Sequence, residues 1–75
     1  MDIRRVVAEN IRFIRQKRNL SQEALSAKSG VSLSYIGYIE RAEVSISVTK
    51  LEKISQVLKV SPGILVEKDA YRQVK

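Results

Sequence analysis

The stretch "LSQEALSAKSGVSLSYIGYIER", Leu20–Arg41, decides the fold because it predicts two short helices joined by a tight turn. Ser21 stands where a helix N-cap belongs, and a helix is predicted after it over about Gln22–Lys28. Gly30 takes a left-handed backbone conformation at little cost, so it can end this helix and permit the turn. A second helix, at about residues 32–41, follows the turn.

Apolar residues at helical spacing allow these two helices to pack against each other. Ile36 and Ile39 give the second helix a buried face, and Leu25 and Val31 lie where they can pack against it. The small side chain of Ser26 lets the two helix axes approach. We therefore assign these residues to the core and the turn, without contact to a ligand.

Three more helices are predicted on either side. The first, at about residues 3–17, is indicated by apolar residues that recur every three or four positions, namely Ile3, Val7, Ile11 and Ile14. A helix capped by Ser47 shows the same spacing, at Val48, Leu51, Ile54 and Leu58. Ser61 and Pro62 are a strong start signal for a short last helix.

The segment "AEVSIS", residues 42–47, alternates polar and apolar residues as a short strand does. With no second strand nearby to pair with, we favour a loop. The predicted fold class is therefore all-α with five short helices. Residues 1–66 form one domain, and residues 67–75 form a C-terminal tail or a helix extension.

The composition excludes several classes of protein. The chain has 75 residues and no cysteine, so we expect neither disulfides nor a thiolate metal site, and a reducing, cytoplasmic location fits best. No signal peptide and no apolar run of about 20 residues that could span a bilayer is present. We expect no metal, no cofactor, no membrane partner and no small-molecule ligand.

The net charge of +6 implies an acidic polymer or surface as partner, or else a basic surface that only keeps the protein soluble. The distribution of charge favours the first explanation. Between Asn10 and Ser21 the chain holds four cations and no acid, namely Arg12, Arg15, Lys17 and Arg18. The positive field is therefore concentrated on the N-terminal half.

Two short helices and a glycine turn form a helix-turn-helix, in which the second helix enters the major groove of DNA. Residues 20–41 resemble this motif in the lambda-repressor-like, Cro-type family, also called the XRE family. Upstream "IRFIRQKRNLSQ" and downstream "SVTKLEKISQVLKVS" are similar to that family's first and fourth helices. The resemblance implies a compact five-helix domain that binds operator DNA as a homodimer and regulates transcription. Small phage-type repressors and the controller proteins of restriction-modification systems are of this type.

The resemblance also implies one structural ion pair. An arginine late in the first helix, Arg15, pairs with the glutamate near the end of the recognition helix, Glu40. Such a pair fixes the recognition helix relative to the domain and does not touch a base. The alternative is two independent, solvated charges.

The recognition helix supplies an unusual set of base-contact candidates: Ser32, Leu33, Ser34, Gly37 and Tyr38. None is Arg, Gln or Asn, the side chains that form bidentate bonds to guanine or adenine, so we expect DNA shape to contribute specificity. Leu33 is expected to contact a thymine methyl, or else to be an exposed residue of no consequence. Gly37 lets the helix backbone sit deeper in the groove, unless it is a tolerated surface glycine.

The amino ends of helices can point donors at the DNA backbone, which places the phosphate-contact candidates. These are Lys17, Arg18, Ser21, Gln22, Tyr35, Arg41, Ser45, Ser47 and Lys50. The loop after the recognition helix carries Ala42 and Glu43 where a glycine and basic residues are common in the family. Because Glu43 repels phosphate, this loop either turns away from DNA or contacts protein. Lys59 stands where a helix-ending glycine is usual, at a small cost in stability.

A recognition helix this short reads only a few base pairs, so two copies are needed to occupy two half-sites. The predicted dimer patch is the apolar C-terminal end, with Val60, Ile64, Leu65, Val66 and Tyr71, and with Val74 as a further candidate. The alternative is that these residues close the core of the monomer. Tyr71 and Val74 could also cover the large side chain of Phe13.

Two other function classes stand beside DNA binding. A protein-interaction module, an antitoxin or a co-regulator, is the alternative because basic residues are missing from the loop. An enzyme is not expected, since the chain has no histidine, cysteine or glycine-rich phosphate loop from which acid-base or nucleophilic catalysis could be built.

Overall fold

The computed structural model describes residues 2–75 and confirms an all-α fold. The five α-helices and the final 3-10 helix are α1 (Ile3–Lys17), α2 (Gln22–Ser29), α3 (Leu33–Glu40), α4 (Val48–Leu58), α5 (Pro62–Leu65) and the 3-10 helix (Ala70–Gln73). The described residues contain no strand. Val44 and Ile46 are half-buried against the core, so the alternation in residues 42–47 comes from a loop packed on one side.

Serine side chains begin three helices, as the sequence predicted. Ser21 Oγ accepts from the Ala24 amide at 2.9 Å and begins α2. Ser32 Oγ accepts an amide three residues on at 3.2 Å and begins α3, and Ser47 does the same for α4 at 3.2 Å. Each bond satisfies one of the amides that a helix leaves without an internal partner.

The turn between α2 and α3 is closed by two serine side chains and one glycine. Gly30 has φ 76°, the left-handed conformation that the sequence predicted. Ser26 Oγ donates to the Val31 carbonyl at 2.7 Å, and Ser29 Oγ accepts from the Val31 amide at 3.1 Å. Ser26, the small residue between the two helices, therefore also donates a hydrogen bond to the turn. This bond fixes where α3 begins.

The core lies where α1, α2, α3 and α4 meet, and α5 closes one end. Its buried apolar residues are Val7, Ile11, Ile14, Leu25, Val31, Ile36, Ile39, Ile54, Leu58 and Leu65. Leu65 was predicted as a dimer contact, but none of its surface is exposed. This prediction is wrong for Leu65, because α5 uses that side chain to close the monomer core.

Asn10 is a buried polar residue that the sequence analysis missed. Its side-chain Nδ2 lies within hydrogen-bonding distance of the Ile64, Leu65 and Glu67 carbonyls at 3.2, 3.1 and 2.8 Å. Its Oδ1 accepts from the Tyr71 amide at 3.0 Å. The signal was present in the sequence, because an amide three residues after Val7 lies on the apolar face of α1 and needs buried partners.

Residues 67–75 form neither a free tail nor a continuation of α5. They turn back to α1, where Ala70 is buried and the Tyr71 ring stacks on Phe13 at 4.5 Å between centroids. This stack confirms Tyr71 as the cover for Phe13. The last residues are therefore part of the same packed unit as residues 2–66.

The ion pair between Arg15 and Glu40 is present and nearly buried, with side chains 12% and 4% exposed. Arg15 Nε donates to Oε2 at 2.7 Å and Nη2 donates to Oε1 at 3.0 Å. Gln22 donates to the same Oε1 at 3.1 Å, and Arg15 Nη1 donates to the Leu20 carbonyl at 2.8 Å. One carboxylate thus joins α1, α2 and the end of α3.

Replacing Glu40 with alanine leaves the Arg15 guanidinium buried without its carboxylate. We expect Glu40→Ala to lower the free energy of unfolding by about 3 kcal/mol, the scale of an orphaned buried charge. Thermal melting at fixed protein concentration measures this. The exposed Glu67→Ala serves as control, with an expected change within about 0.5 kcal/mol. Equal melting temperatures for the two variants would contradict a structural role for the pair.

Lys59 ends α4 with φ 61° and ψ 42°, a left-handed conformation in which a β-carbon is strained. We expect Lys59→Gly to raise the free energy of unfolding by about 0.5–1 kcal/mol, because glycine adopts this conformation without strain. Urea denaturation measures the change. Lys59→Ala removes the charge but keeps the β-carbon, so higher stability in that variant would assign the effect to charge rather than to strain.

Candidate nucleic-acid interface

The start of α3 presents exposed side chains, although Tyr35 in the same turn is half-buried and Ile36 is fully buried. Ser32 and Ser34 are exposed, and Leu33 is a large apolar side chain with 43% of its surface exposed. Tyr38, one turn later, is 45% exposed. Four of the five predicted base-contact residues therefore lie on the open side of α3, while Ile36 and Ile39 face the core.

The amino end of α4 lies against Tyr35, in the first turn of α3. The Tyr35 hydroxyl donates to the Ser45 carbonyl at 3.4 Å, and Lys50 Nζ stands 4.8 Å from the centre of the Tyr35 ring. A cation over an aromatic face is attracted to it and is held in place. The structure thus brings together Tyr35, Ser45, Ser47 and Lys50, which were predicted separately as phosphate contacts.

The amino end of α2 lies at the other end of α3. Gln22 donates to Glu40, the last residue of α3, and Ser21 directly precedes it as an exposed N-cap. The amino ends of two helices therefore flank the recognition helix, and each carries partial positive charge and exposed donors. This is an arrangement that suits an anionic polymer lying across all three helices.

Gly37 is not open to solvent, although it was predicted to contact DNA. It is buried beneath the Arg41 side chain, and a β-carbon added to it would lie 3.0 Å from Arg41 Nη1. The guanidinium also lies over the Tyr38 ring, 5.3 Å from its centre. In this structure Gly37 thus makes room for Arg41 and presents no surface of its own.

Lys17 and Arg18, which were predicted as phosphate contacts, donate to backbone carbonyls in this structure. Lys17 Nζ donates to the Val74 carbonyl at 2.6 Å. Arg18 Nε donates to the Leu58 carbonyl at 2.9 Å, and its Nη1 donates to the Lys75 carbonyl. Leu58 ends α4, about 15 Å along that helix from its amino end, so Arg18 lies near the carboxyl end of α4.

The predicted dimer residues differ in exposure. Val66 is 40% exposed and borders an apolar groove, whereas Val60, Ile64, Tyr71 and Val74 are partly buried against the core. The groove is also lined by Ile3, Val44, Ile46, Val48 and Leu51. Val48 is the most exposed large apolar side chain described, at 83%. Unpartnered apolar surface is therefore centred on Val66 and Val48 and not on Tyr71.

Within residues 2–75 no group of three or more His, Cys, Asp or Glu side chains is placed to hold a metal ion. None of the helices in this range has the length and apolar character needed to cross a bilayer.

Similar proteins are known for nearly the whole chain. The family model described as helix-turn-helix matches residues 11–65. The chain is 41% identical to control protein C.SmaI of Serratia marcescens over 61 residues, which are 81% of this chain and 73% of that protein.

Two solved structures have the same fold. The hypothetical transcription factor NHTF from Neisseria has a TM-score of 0.88 at 30% identity, over 96% of this chain and 83% of that one. The restriction-modification controller protein C.AhdI from Aeromonas hydrophila has a TM-score of 0.79 at 31% identity, over 83% of this chain and 94% of that one. Because the family model spans most of the chain and these proteins share its length and fold, the chain belongs to the XRE-type helix-turn-helix family of transcriptional regulators, which bind DNA and are not enzymes.

Proposed function

We propose that the protein binds operator DNA as a homodimer, with α3 in the major groove, and controls transcription in the cytoplasm. The observation that carries this proposal is that Ser32, Leu33 and Ser34 are exposed at the start of α3, while the amino end of α4 contacts α3 near that start and the amino end of α2 contacts its last residue. A helix held in this way can enter the groove while its neighbours bind the two backbones. The basic excess of the chain supports an anionic partner.

Base recognition rests on few groups. Ser32 and Ser34 bond several kinds of base edge, and Leu33 offers apolar contact to a thymine methyl. Such contacts discriminate weakly, so part of the specificity comes from sequence-dependent groove width and bending. We expect selected sites to share shape features, such as an A·T-rich stretch, in addition to fixed bases.

Phosphate contacts come from residues at and near the amino ends of α2 and α4, which flank α3. Ser21 and Gln22 bind the backbone at the amino end of α2, while Tyr35, Ser45, Ser47 and Lys50 bind it near α4. The Tyr35 ring already holds Lys50 in place, which lowers the entropy lost when a phosphate binds. Lys50 is therefore the cation of this group on which we base a test.

The homodimer forms through the apolar surface around Val66. A domain of this size has one recognition helix, and two half-sites about one helical turn apart require two copies. The exposed Val66, Val48 and Ile3 border one groove, so their burial between two copies removes apolar surface from water. Similarity to C.SmaI and C.AhdI supports a role as a controller protein, and a phage-type repressor is the second possibility.

Lys50→Ala tests the proposed contact surface. After selection of bound sequences from a random duplex pool, we expect wild type to bind the selected duplex at least about 1,000-fold more tightly than a mixed-sequence duplex. Lys50→Ala should weaken binding to both duplexes and reduce the salt slope by about one. Fluorescence anisotropy over a series of salt concentrations measures both quantities.

Lys53→Ala, a change to an exposed lysine later in α4, is the matched control and should change the slope less. If wild type binds neither duplex at low salt, the proposal fails and the alternative of a protein-interaction module is favoured. If Lys50→Ala and wild type bind DNA with the same salt slope, Lys50 is not part of the contact surface.

Val66→Asp tests the dimer. A charge placed in the apolar groove should raise the dimer dissociation constant by about tenfold or more, because an unpaired carboxylate is costly to bury. Sedimentation equilibrium measures this constant, and circular dichroism checks that the exposed substitution leaves the helices intact. Gln73→Asp, at an exposed position outside the groove, is the control. Wild type that sediments only as a monomer at micromolar concentration would contradict the homodimer.

A further inference from the structure

Arg41 is folded back along α3 instead of extending beyond its end. Its Nε lies 3.2 Å from Glu43 Oε2, and its guanidinium carbon lies 5.3 Å from the centre of the Tyr38 ring. Its Nη1 approaches Gly37 so closely that a β-carbon at residue 37 would stand 3.0 Å away. The Glu43 carboxylate and the Tyr38 ring therefore hold the Arg41 guanidinium against α3, the helix proposed to enter the groove. The guanidinium lies over Gly37, which has no side chain to occupy that space.

The backbone after α3 explains how an acid reaches this position. Ala42 has φ 60°, a left-handed turn that reverses the chain at the end of the helix. The Glu43 amide then donates to the Tyr38 carbonyl at 2.9 Å, and the Ala42 amide donates to the Ile39 carbonyl at 2.9 Å. The turn places the Glu43 carboxylate beside Arg41, so this acid is already paired with a cation.

We propose that Glu43 holds Arg41 in a resting position over Gly37 and Tyr38, and that a DNA phosphate takes the place of the carboxylate when α3 docks. This inference rests on the proposed function of α3. It makes Glu43 a residue that sets affinity and specificity, although it forms no bond to DNA. A duplex that brings a phosphate within reach of Arg41 binds that side chain, whereas a poorly fitting duplex leaves Arg41 on Glu43.

The chemistry permits the exchange. Carboxylate and phosphate oxygens both accept from the guanidinium fork, so one anion can replace the other at the same donors. The Arg41 and Glu43 side chains are 56% and 51% exposed, so the exchange requires no unfolding. Ion pairs with this exposure are weak, and a phosphate can therefore compete. The free energy of the bond from Arg41 to phosphate is offset in part by the broken ion pair with Glu43.

A double-mutant cycle separates this resting contact from simple repulsion between Glu43 and DNA. We expect Glu43→Gln to tighten binding to the selected duplex by about two- to fivefold at low salt, the scale of a surface ion pair, because Arg41 then reaches phosphate without breaking that pair. A mixed-sequence duplex, which makes less use of Arg41, should tighten less, so the specificity ratio rises. In an Arg41→Gln background, Glu43→Gln should have little effect. Fluorescence anisotropy with all four proteins measures the cycle.

Glu67→Gln is the matched control, because it removes the same charge from an exposed residue that does not border α3. Equal tightening by Glu43→Gln in both backgrounds would overturn the proposal, since Glu43 would then act as a repulsive charge alone. Equal tightening by Glu67→Gln, or none by Glu43→Gln, would also overturn it. If wild type itself binds no duplex, the proposed function fails, and the resting contact is then tested without DNA.

That second measurement uses the free protein. In a nitrogen-15 correlation spectrum, the chemical shift of the Arg41 Nε–Hε signal should differ between wild type and Glu43→Gln, because the carboxylate 3.2 Å from Nε is replaced by a neutral amide. Arg41→Lys assigns the signal by removing it. An Arg41 signal that is the same with and without the Glu43 carboxylate would show that the carboxylate does not hold the side chain.

Discussion

The bond between Arg15 and Glu40 is the interaction on which the position of α3 depends. A helix of eight residues is too short to be stable alone, so its orientation comes from its neighbours. The apolar residues Ile36 and Ile39 bury one face of α3, and the hydrogen-bonded turn before it fixes its start. The carboxylate at its end, held by Arg15 and by Gln22, ties it to α1 and α2 at defined distances. Everything proposed for the open side of α3 assumes that this end does not move.

Local signals in the sequence predicted most of the fold, and long-range contacts account for the differences. Serine N-caps, the Gly30 turn and the apolar periodicity each concern residues within one or two turns, so all could be predicted. The buried partners of Asn10 could not, because its acceptors lie 54 to 57 residues away in the chain. Periodicity likewise placed Leu65 on an apolar face without showing whether that face met the core or a second copy.

In the candidate interface, too, local sequence signals predicted some features, whereas others depend on long-range contacts. Residue type and position identified the exposed serines of α3, yet the pairing of Lys50 with Tyr35 depends on how α4 approaches α3. Gly37 and Arg41 were assigned separate roles from the sequence, and the structure joins them because both lie on one side of α3, four residues apart. Gly37, which weakens the helix by about 1 kcal/mol relative to alanine, leaves the space in which the Arg41 guanidinium lies in this structure.

Asn10 also has a consequence for the order in which the molecule assembles. Its bond to Tyr71 joins residues 61 positions apart, almost the full length of the chain. A contact of such high sequence separation closes a long loop, and during synthesis it can form only after residue 71 has emerged. The side-chain amide of Asn10 in α1 therefore gains these partners only after α5 and the following turn have packed against α1. The same segment carries Val66. During synthesis α2 and α3 can form their contacts before residues 62–71 have emerged, so the apolar groove that Val66 borders is completed only when α5 packs against α1.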